Sequence, residues 1–379
     1  MRTKTILSVQ PVADRGGSSQ ALLRMCRHLK AGGWECHVVI PAPGPLASEL
    51  RAGGATVHVV PMRRLTGSGG LGYWLAYAAL WPVSVLRILW LARRVRPGVV
   101  HSNSLHCWYG WAVAWLSGRP HLWHGREVVV QSKWALGVER RLTRRFAWRL
   151  VAVSETVAAQ FRSPNVVVVH DGLRPEDGFS PQRAGGLRPR AGIADDAVLV
   201  GAAGRLDTWK GFDVLLGAFP DVRRLRPDAE LAIAGAVVGG KEAYAENLLA
   251  IARRSEGVHW LGAREDMAEF MADLDLFVMP STEPEPFGLV AVEALASGVP
   301  VVVTDHGGAP EMLRDAPAAA GKLCPPGDRA TLARAIVAML PPGPSSREKR
   351  RGREAVLVGD PRRLLSLFEE ALEKGGRRR

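Results

Sequence analysis

Two doubly wound α/β domains joined by a short linker are predicted by three features of this sequence. Short runs rich in β-branched residues alternate with helix-length segments almost throughout, the pattern of parallel sheets covered by helices on both faces. One stretch of glycine, proline and arginine without apolar period, 171–196, interrupts the alternation, which then restarts. The length of 379 residues, 47% hydrophobic and 23% charged, exceeds one ordinary domain and suits two, each able to bury a core.

In the first half the strand candidates are Thr5–Val9, Glu35–Ile40, Thr56–Val60, Val99–Ser102, His121–Trp123, Leu150–Val153 and Val166–Val169, with helical patterns such as Ser18–Leu29 and Glu139–Trp148 between them. The first run is too short for the apolar region of a signal peptide and reads as a buried strand. In the second half the candidates are Val198–Ala203, Glu230–Ala234, Val258–Leu261, Leu276–Met279 and Val301–Thr304. The expected division is a first domain over 1–172, a linker over 173–196, a second domain over 197–358 and a terminal amphipathic helix with a basic tail over 359–379, which can cross back to the first domain. Ligands of open parallel sheets bind beyond the carboxyl ends of the strands, so two such domains are expected to face a central cleft.

The net charge of +13 is unevenly placed: residues 1–180 hold 23 Lys/Arg against 9 Asp/Glu. No acidic residue lies between Glu49 and Glu127, an interval with nine arginines. Such a surface attracts a polyanion, and anionic membrane is expected over nucleic acid because no nucleic-acid module is present. The uncharged run Leu71–Leu86 is shorter than the roughly 20 residues that cross a bilayer. Trp74, Tyr77, Trp81 and Trp90 on it, followed by Arg93, Arg94 and Arg96, suit peripheral contact. Trp108, Tyr109, Trp111 and Trp115 give an alternative reading as an aromatic acceptor groove. Cys26, Cys36, Cys107 and Cys324 lack the spacing of a zinc site or disulfide framework, and a cytoplasmic setting is expected, peripheral on the inner face of the plasma membrane.

The strongest chemical signal is STEPEPFGLVAVEALASGVPVV, 281–302. A strand ends at Met279, an acidic loop follows, and Gly288 opens a helix carrying Glu293, eight residues after Glu285. The backbone N–H groups of Gly288 and Leu289 would be free donors at a helix N-terminus, where the macrodipole favours an anion such as a diphosphate. One carboxylate can hold sugar hydroxyls and the other ribose hydroxyls.

With Phe287, Gly288 and Leu289 between Glu285 and Glu293, the segment resembles the E-x7-E signature of retaining glycosyltransferases, and GRLDTWKG, 204–211, is similar to that family's diphosphate clamp, with Arg205 and Lys210 at its two cationic positions. Further matches are Gly16-Gly17 after the first strand, VAVSE at 151–155, HDGL at 170–173, GGAPE at 307–311 and PPGD at 325–328. These are landmarks of the family-4 branch, the glycosyl transferases group 1. HDGL departs from the family in carrying Asp171 where asparagine is commoner, with little consequence expected because either residue can bond its own turn.

The resemblance implies a GT-B fold and retaining transfer of a sugar from a nucleotide-diphosphate donor, UDP- or GDP-linked, to a glycan or lipid-linked acceptor of the cell envelope, with no metal and no cofactor. Fixed cations at Arg205 and Lys210 would stabilise the charge that develops on the departing diphosphate. Asp273 and Asp275 have the spacing of a metal-holding pair, but Asp275 begins DLFVMP and reads as a strand-entry residue. By resemblance His124, in LWHGRE, lies near the reacting sugar, as a partner of a hydroxyl or of anomeric charge rather than a general base. The catalytic set is thus His124, Arg205, Lys210 and Glu285. Donor contacts are expected from Gly17, Arg205, Lys210, Arg264, Glu285, Phe287, Gly288, Leu289 and Glu293, and acceptor-side contacts from Gly16, Gly17 and Ser18. A nucleotide-sugar epimerase or a non-catalytic partner protein on the same fold are the alternatives.

Overall fold

The computed structural model describes residues 3–65, 69–130, 132–182, 186–237, 239–343 and 354–376. The chain divides into two compact units, one made of Met1–Asp171 and Asp360–Arg379 and the other of Gly172–Gly359.

The first unit alternates β1 (Thr5–Val9), α1 (Gly17–Ala31), β2 (Glu35–Ile40), α2 (Pro45–Ala52), β3 (Thr56–Val59), α3 (Leu71–Val95), β4 (Val99–Ser102), α4 (Tyr109–Ser117), β5 (His121–Gly125), α5 (Lys133–Phe146), β6 (Arg149–Ala152), α6 (Glu155–Ala159) and β7 (Val166–Val168). All seven strands are parallel, in the order β3-β2-β1-β4-β5-β6-β7. Both faces are covered, so the strands read as continuous apolar runs rather than as alternations. Ile6, Val38, Val99 and Leu122 pack on one face with Leu22 and Leu29 of α1, and Leu7, Val9, Val39 and Val100 pack on the other with Ile88 of α3 and Val113 of α4.

The second unit contains α7 (Leu187–Ala191), β8 (Val198–Leu206), α8 (Phe212–Leu225), β9 (Ala229–Val237), α9 (Glu242–Arg254), β10 (Val258–Gly262), α10 (Met267–Asp273), β11 (Leu276–Met279), α11 (Leu289–Ala296), β12 (Val301–Thr304), β13 (Gly321–Cys324) and α12 (Arg329–Met339). Its six parallel strands run in the order β10-β9-β8-β11-β12-β13. The terminal helix α13 (Pro361–Gly376) belongs to the first unit, where Leu367, Phe368 and Ala371 join the core beside Ile6 and Leu122. Strand order reverses between β1 and β4 in one sheet and between β8 and β11 in the other, and such switch points open a crevice at the carboxyl edge.

Two expectations are corrected and one strand is added. The stretch 173–196 is not a free linker along its length: α7 is built into the second unit by Arg188, only 2% exposed. Its guanidinium donates to the carbonyls of Asp273, Ala194 and Ala197 and to the carboxylate of Asp275, while Asp273 accepts from the Leu187 amide. The apolar segment does not stop at Leu86. Arg87 lies on the exposed side of α3 while Val85, Ile88, Leu89 and Ala92 continue the buried stripe, so the helix runs 25 residues, through Pro82, and is long and apolar enough to cross a membrane by length and composition. Finally, Gly321–Cys324 forms an edge strand that its glycine and lysine conceal from a propensity reading.

Candidate functional site

In the second unit three loops leave the carboxyl ends of the neighbouring strands β8, β11 and β12, and backbone hydrogen bonds tie them together. The Thr282 amide donates to the Trp209 carbonyl at 2.7 Å, and the Gly308 amide donates to the Glu285 carbonyl at 2.8 Å. Two glycines make this approach feasible. Gly211 (φ +68) would place a Cβ 2.0 Å from the Pro280 carbonyl oxygen, and Gly307 (φ +67) would place one 2.3 Å from that of Glu285.

Within this frame the ammonium of Lys210 is ion-paired to Glu285 Oε1, which also accepts from the Ser281 hydroxyl at 2.8 Å. Lys210 lies 4.1 Å from the centroid of the Trp209 ring, a cation–π contact that holds its stem. The Glu285 side chain is 5% exposed and that of Lys210 16%, so the pair is largely desolvated yet open to a ligand on the lysine side. Arg205, next to last in β8, is exposed.

Beyond Glu285 the chain buries Phe287, then turns at Gly288 (φ +97), where a Cβ would meet Met279 Cε at 2.7 Å. Gly288 is the N-cap of α11, whose first amides, starting at Leu289, have no intrahelical acceptor and face the same edge as the loops. Glu293, on the second turn of α11, is buried. Lys210, Glu285, Gly288, Leu289 and Glu293 are therefore brought to one strand edge. Arg264 stands apart from them in its contacts: it follows the edge strand β10 and its guanidinium is forked onto Asp266, which also meets Arg190. Asp273 and Asp275 are at the opposite, amino end of β11, committed to Arg188 and the Leu187 and Leu199 amides.

The first unit builds a different cluster at its own carboxyl edge. Gly16 caps α1 and its amide donates to Asp14 Oδ1 at 3.0 Å, while Ser19 links Asp14 to Gln10. Asn103 donates to Gln10 and to the Ser18 carbonyl at 2.8 Å, and it accepts from Arg126 Nε at 2.9 Å. Gly16 has φ −66, so its backbone does not require glycine, and a Cβ there would lie 3.1 Å from Asp14 Oδ1. Gly17 and Ser18 form the first turn of α1 beside this network.

Arg126 and its counter-ion escaped the sequence reading. The Asp171 carboxylate is ion-paired to Arg126, with side-chain exposures of 13% and 5%. The aspartate in HDGL thus does more than bond its own turn, because it neutralises a buried guanidinium. The signal was present in LWHGRE, where Arg126 follows His124 by two residues, but the pairing across 45 positions was not.

His124 is the fourth residue of β5 and fully buried rather than open at the strand end. Its Nδ1 lies 3.4 Å from His101 Nε2, and its Nε2 has no partner among the described residues. Burial, reinforced by the charge of Arg126, holds both imidazoles well below their ordinary pKa, so both are neutral at pH 7. Tyr109, one of the four aromatics considered for an acceptor groove, is a core residue whose hydroxyl donates to the Arg63 carbonyl, whereas Trp115 is exposed.

Comparison with known proteins gives the family and the fold. Residues 15–177 match the model of Glycosyltransferase Family 4 and residues 187–354 that of Glycosyl transferases group 1. A D-inositol 3-phosphate glycosyltransferase of Stackebrandtia nassauensis is 29% identical over 335 residues, 78% of this chain and 72% of that protein. One from Mycobacterium sp. (strain KMS) is 34% identical over 209 residues, 52% of this chain and 46% of its own length. The chain spans less than half the length of the first curated relatives it matches. Among solved structures, HepE of Anabaena in complex with UDP-glucose superposes with a TM-score of 0.72 at 23% identity, covering 98% of this chain and 99% of that one. The two sheets are thus the pair of Rossmann-like domains of the GT-B class, and the chain belongs to the group 1, family 4 glycosyltransferases.

Proposed function

We propose that this chain is a retaining, metal-independent glycosyltransferase that moves a sugar from a nucleotide-diphosphate donor to a glycan or lipid-linked acceptor. The observation that carries the reading is the Lys210–Glu285–Ser281 cluster beside the amino end of α11. A diphosphate at that helix end would meet free amides and the ammonium of Lys210, with exposed Arg205 as a second cation. As the glycosidic bond breaks, these fixed positive groups would stabilise the leaving diphosphate without a metal ion, and Glu285 and Glu293 would hold hydroxyls of the sugar and ribose. UDP-glucose, held by the Anabaena neighbour, is the first donor to try.

The test is acceptor-dependent release of nucleoside diphosphate from UDP- and GDP-sugars, with the anomeric configuration of the product read by NMR. Release without an acceptor and with isomerised sugar would favour the epimerase reading, and an inverted product would end the retaining one.

We also place the protein on the cytoplasmic face of an anionic membrane. Leu71, Leu75, Val83, Leu86 and Trp90 are exposed along α3, at 78%, 63%, 45%, 64% and 58%, and Arg87, Arg93 and Arg94 share its outer side. The helix meanwhile commits Tyr77, Val85, Ile88 and Leu91 to the core, which suits a helix lying in the interface rather than a span. Trp134 and Arg140, Arg141, Arg144 and Arg145 of α5 are exposed as well. Co-flotation with anionic liposomes at low salt is the expected result, and failure to co-float rejects this placement.

A further inference from the structure

Ser8, His101 and His124 form a buried polar row on one face of the first sheet, next to Ile6, Val99 and Leu122 of the core. Ser8 and His101 are register partners in β1 and β4, and the Ser8 hydroxyl lies 2.8 Å from His101 Nδ1. The opposite nitrogen of His101 meets His124 Nδ1 at 3.4 Å, at the long end for such a contact. All three residues are at most 1% exposed, and the Phe368 ring of α13 covers His101 from a centroid distance of 5.8 Å.

The direction of the hydrogens follows from the first residue in the row. A buried hydroxyl must place its proton on an acceptor, and among the described residues the acceptor within reach of Ser8 is His101 Nδ1. That nitrogen is then unprotonated, and a neutral His101 carries its hydrogen on Nε2, aimed at His124 Nδ1. Accepting there, His124 carries its own hydrogen on Nε2. The reverse order would leave the Ser8 proton without an acceptor in the interior.

We propose that Ser8 and His101 are positioning residues that fix His124 as the neutral Nε2–H tautomer, so that its Nε2, without a partner among the described residues, is a hydrogen-bond donor and not a base. The charge of Arg126 and the burial of both rings act in the same sense by disfavouring imidazolium. The catalytic consequence rests on the glycosyl-transfer reading; the tautomer does not.

Two-bond proton–nitrogen spectra of the whole protein labelled with 15N-histidine test this directly, with His124 assigned by loss of its signals in His124→Asn. The expected spectrum from pH 6 to 8 shows Nε2–H and bare Nδ1 for both His101 and His124. Ser8→Ala and His101→Phe should convert His124 to a mixture of tautomers and lower kcat by about tenfold or more, with KM for the sugar nucleotide within about twofold. His101→Gln, whose amide N–H replaces the donor, should restore both readouts. An Nδ1–H His124 in the parent protein, or an unchanged tautomer in both Ser8→Ala and His101→Phe, would overturn the proposal. The expected spectrum in a protein that turns over no sugar nucleotide would uphold the tautomer and remove the glycosyl-transfer reading.

Discussion

The two units handle charge at their strand edges in opposite ways. In the second, Lys210 and Glu285 form an ion pair in which each neutralises the other, with the lysine still partly open to water. In the first, His101 and His124 are kept neutral by loss of water, and Arg126, a buried cation beside them, is balanced by Asp171. The second unit thus keeps a paired charge at its strand edge, whereas desolvation removes charge from the buried rings of the first. Substitution and pH can separate these two devices.

The largest effect is expected from Asp171→Ala, which leaves the Arg126 guanidinium buried without its counter-charge. Breaking one side of a buried pair typically costs about 3–5 kcal/mol, readable from urea denaturation, and Arg126→Met combined with Asp171→Leu should recover much of it. A loss below about 1 kcal/mol would mean that water reaches this pair.

Next is Lys210→Ala, expected to lower kcat by roughly 10²–10³-fold through lost stabilisation of the leaving group. Because Glu285 is 5% exposed, this variant should also lose stability, and Glu285→Gln added to it should return stability without returning turnover. Arg205→Ala, at an exposed residue, should lower turnover with stability changed by no more than about 0.5 kcal/mol. Full turnover in both Lys210→Ala and Arg205→Ala would remove the cations from the mechanism.

Acidification comes third. Burial pushes His121 down to about 3 and holds His101 and His124 well below 6.5. Below about 6.5 the unfolded chain therefore binds protons that the folded chain refuses, and stability falls as pH falls. His106 works the other way. Burial acts to lower it, but its hydrogen bond to Glu139 and the charges of Glu127 and Glu139 raise it, so its contribution is present below 6.5 and lost as pH rises through its folded value. With His58 also lowered, by burial and by the charge of His37, four residues against one predict a net loss of about 1–2 kcal/mol between pH 7 and 6, measured as a shift in the urea midpoint. A rise in stability over that interval would show that these rings are hydrated.

The smallest effect should be at Gly16. Its φ of −66 suits any residue, and Gly16→Ala brings a Cβ to 3.1 Å of the Asp14 carboxylate, which a rotation of that side chain can relieve. Less than about 1 kcal/mol is expected in a thermal melt. A larger loss would mean that the network through Ser19 and Gln10 is rigid.

Much of the fold was legible because parallel strands buried on both faces announce themselves as β-branched runs, and Thr5–Val9, Glu35–Ile40, Val99–Ser102, Leu276–Met279 and Val301–Thr304 lie where those runs do. Lys210 and Glu285 were legible from their motifs, and the structure adds that they are partners, linked across 75 positions. What escaped reading was of one kind. Arg188 and Arg126 look like surface cations in a linear sequence, and only the topology that brings Asp275 and Asp171 to them turns each into an interior ion. Likewise Ser8 and His101 sit in apolar runs, where a single polar residue carries no sign of its neighbour on the next strand.

Gly211 and Gly307 carry an implication for how this chain can diversify. Every coding change at either position adds a Cβ that collides with the main chain of the segment from Pro280 to Glu285, and both glycines hold positive φ that other residues resist. The immediate surroundings of the carboxylate are therefore closed to gradual variation from two sides. Descendants of this gene that vary this edge have to record the change elsewhere, at exposed positions such as Glu283, while the loop keeps its course.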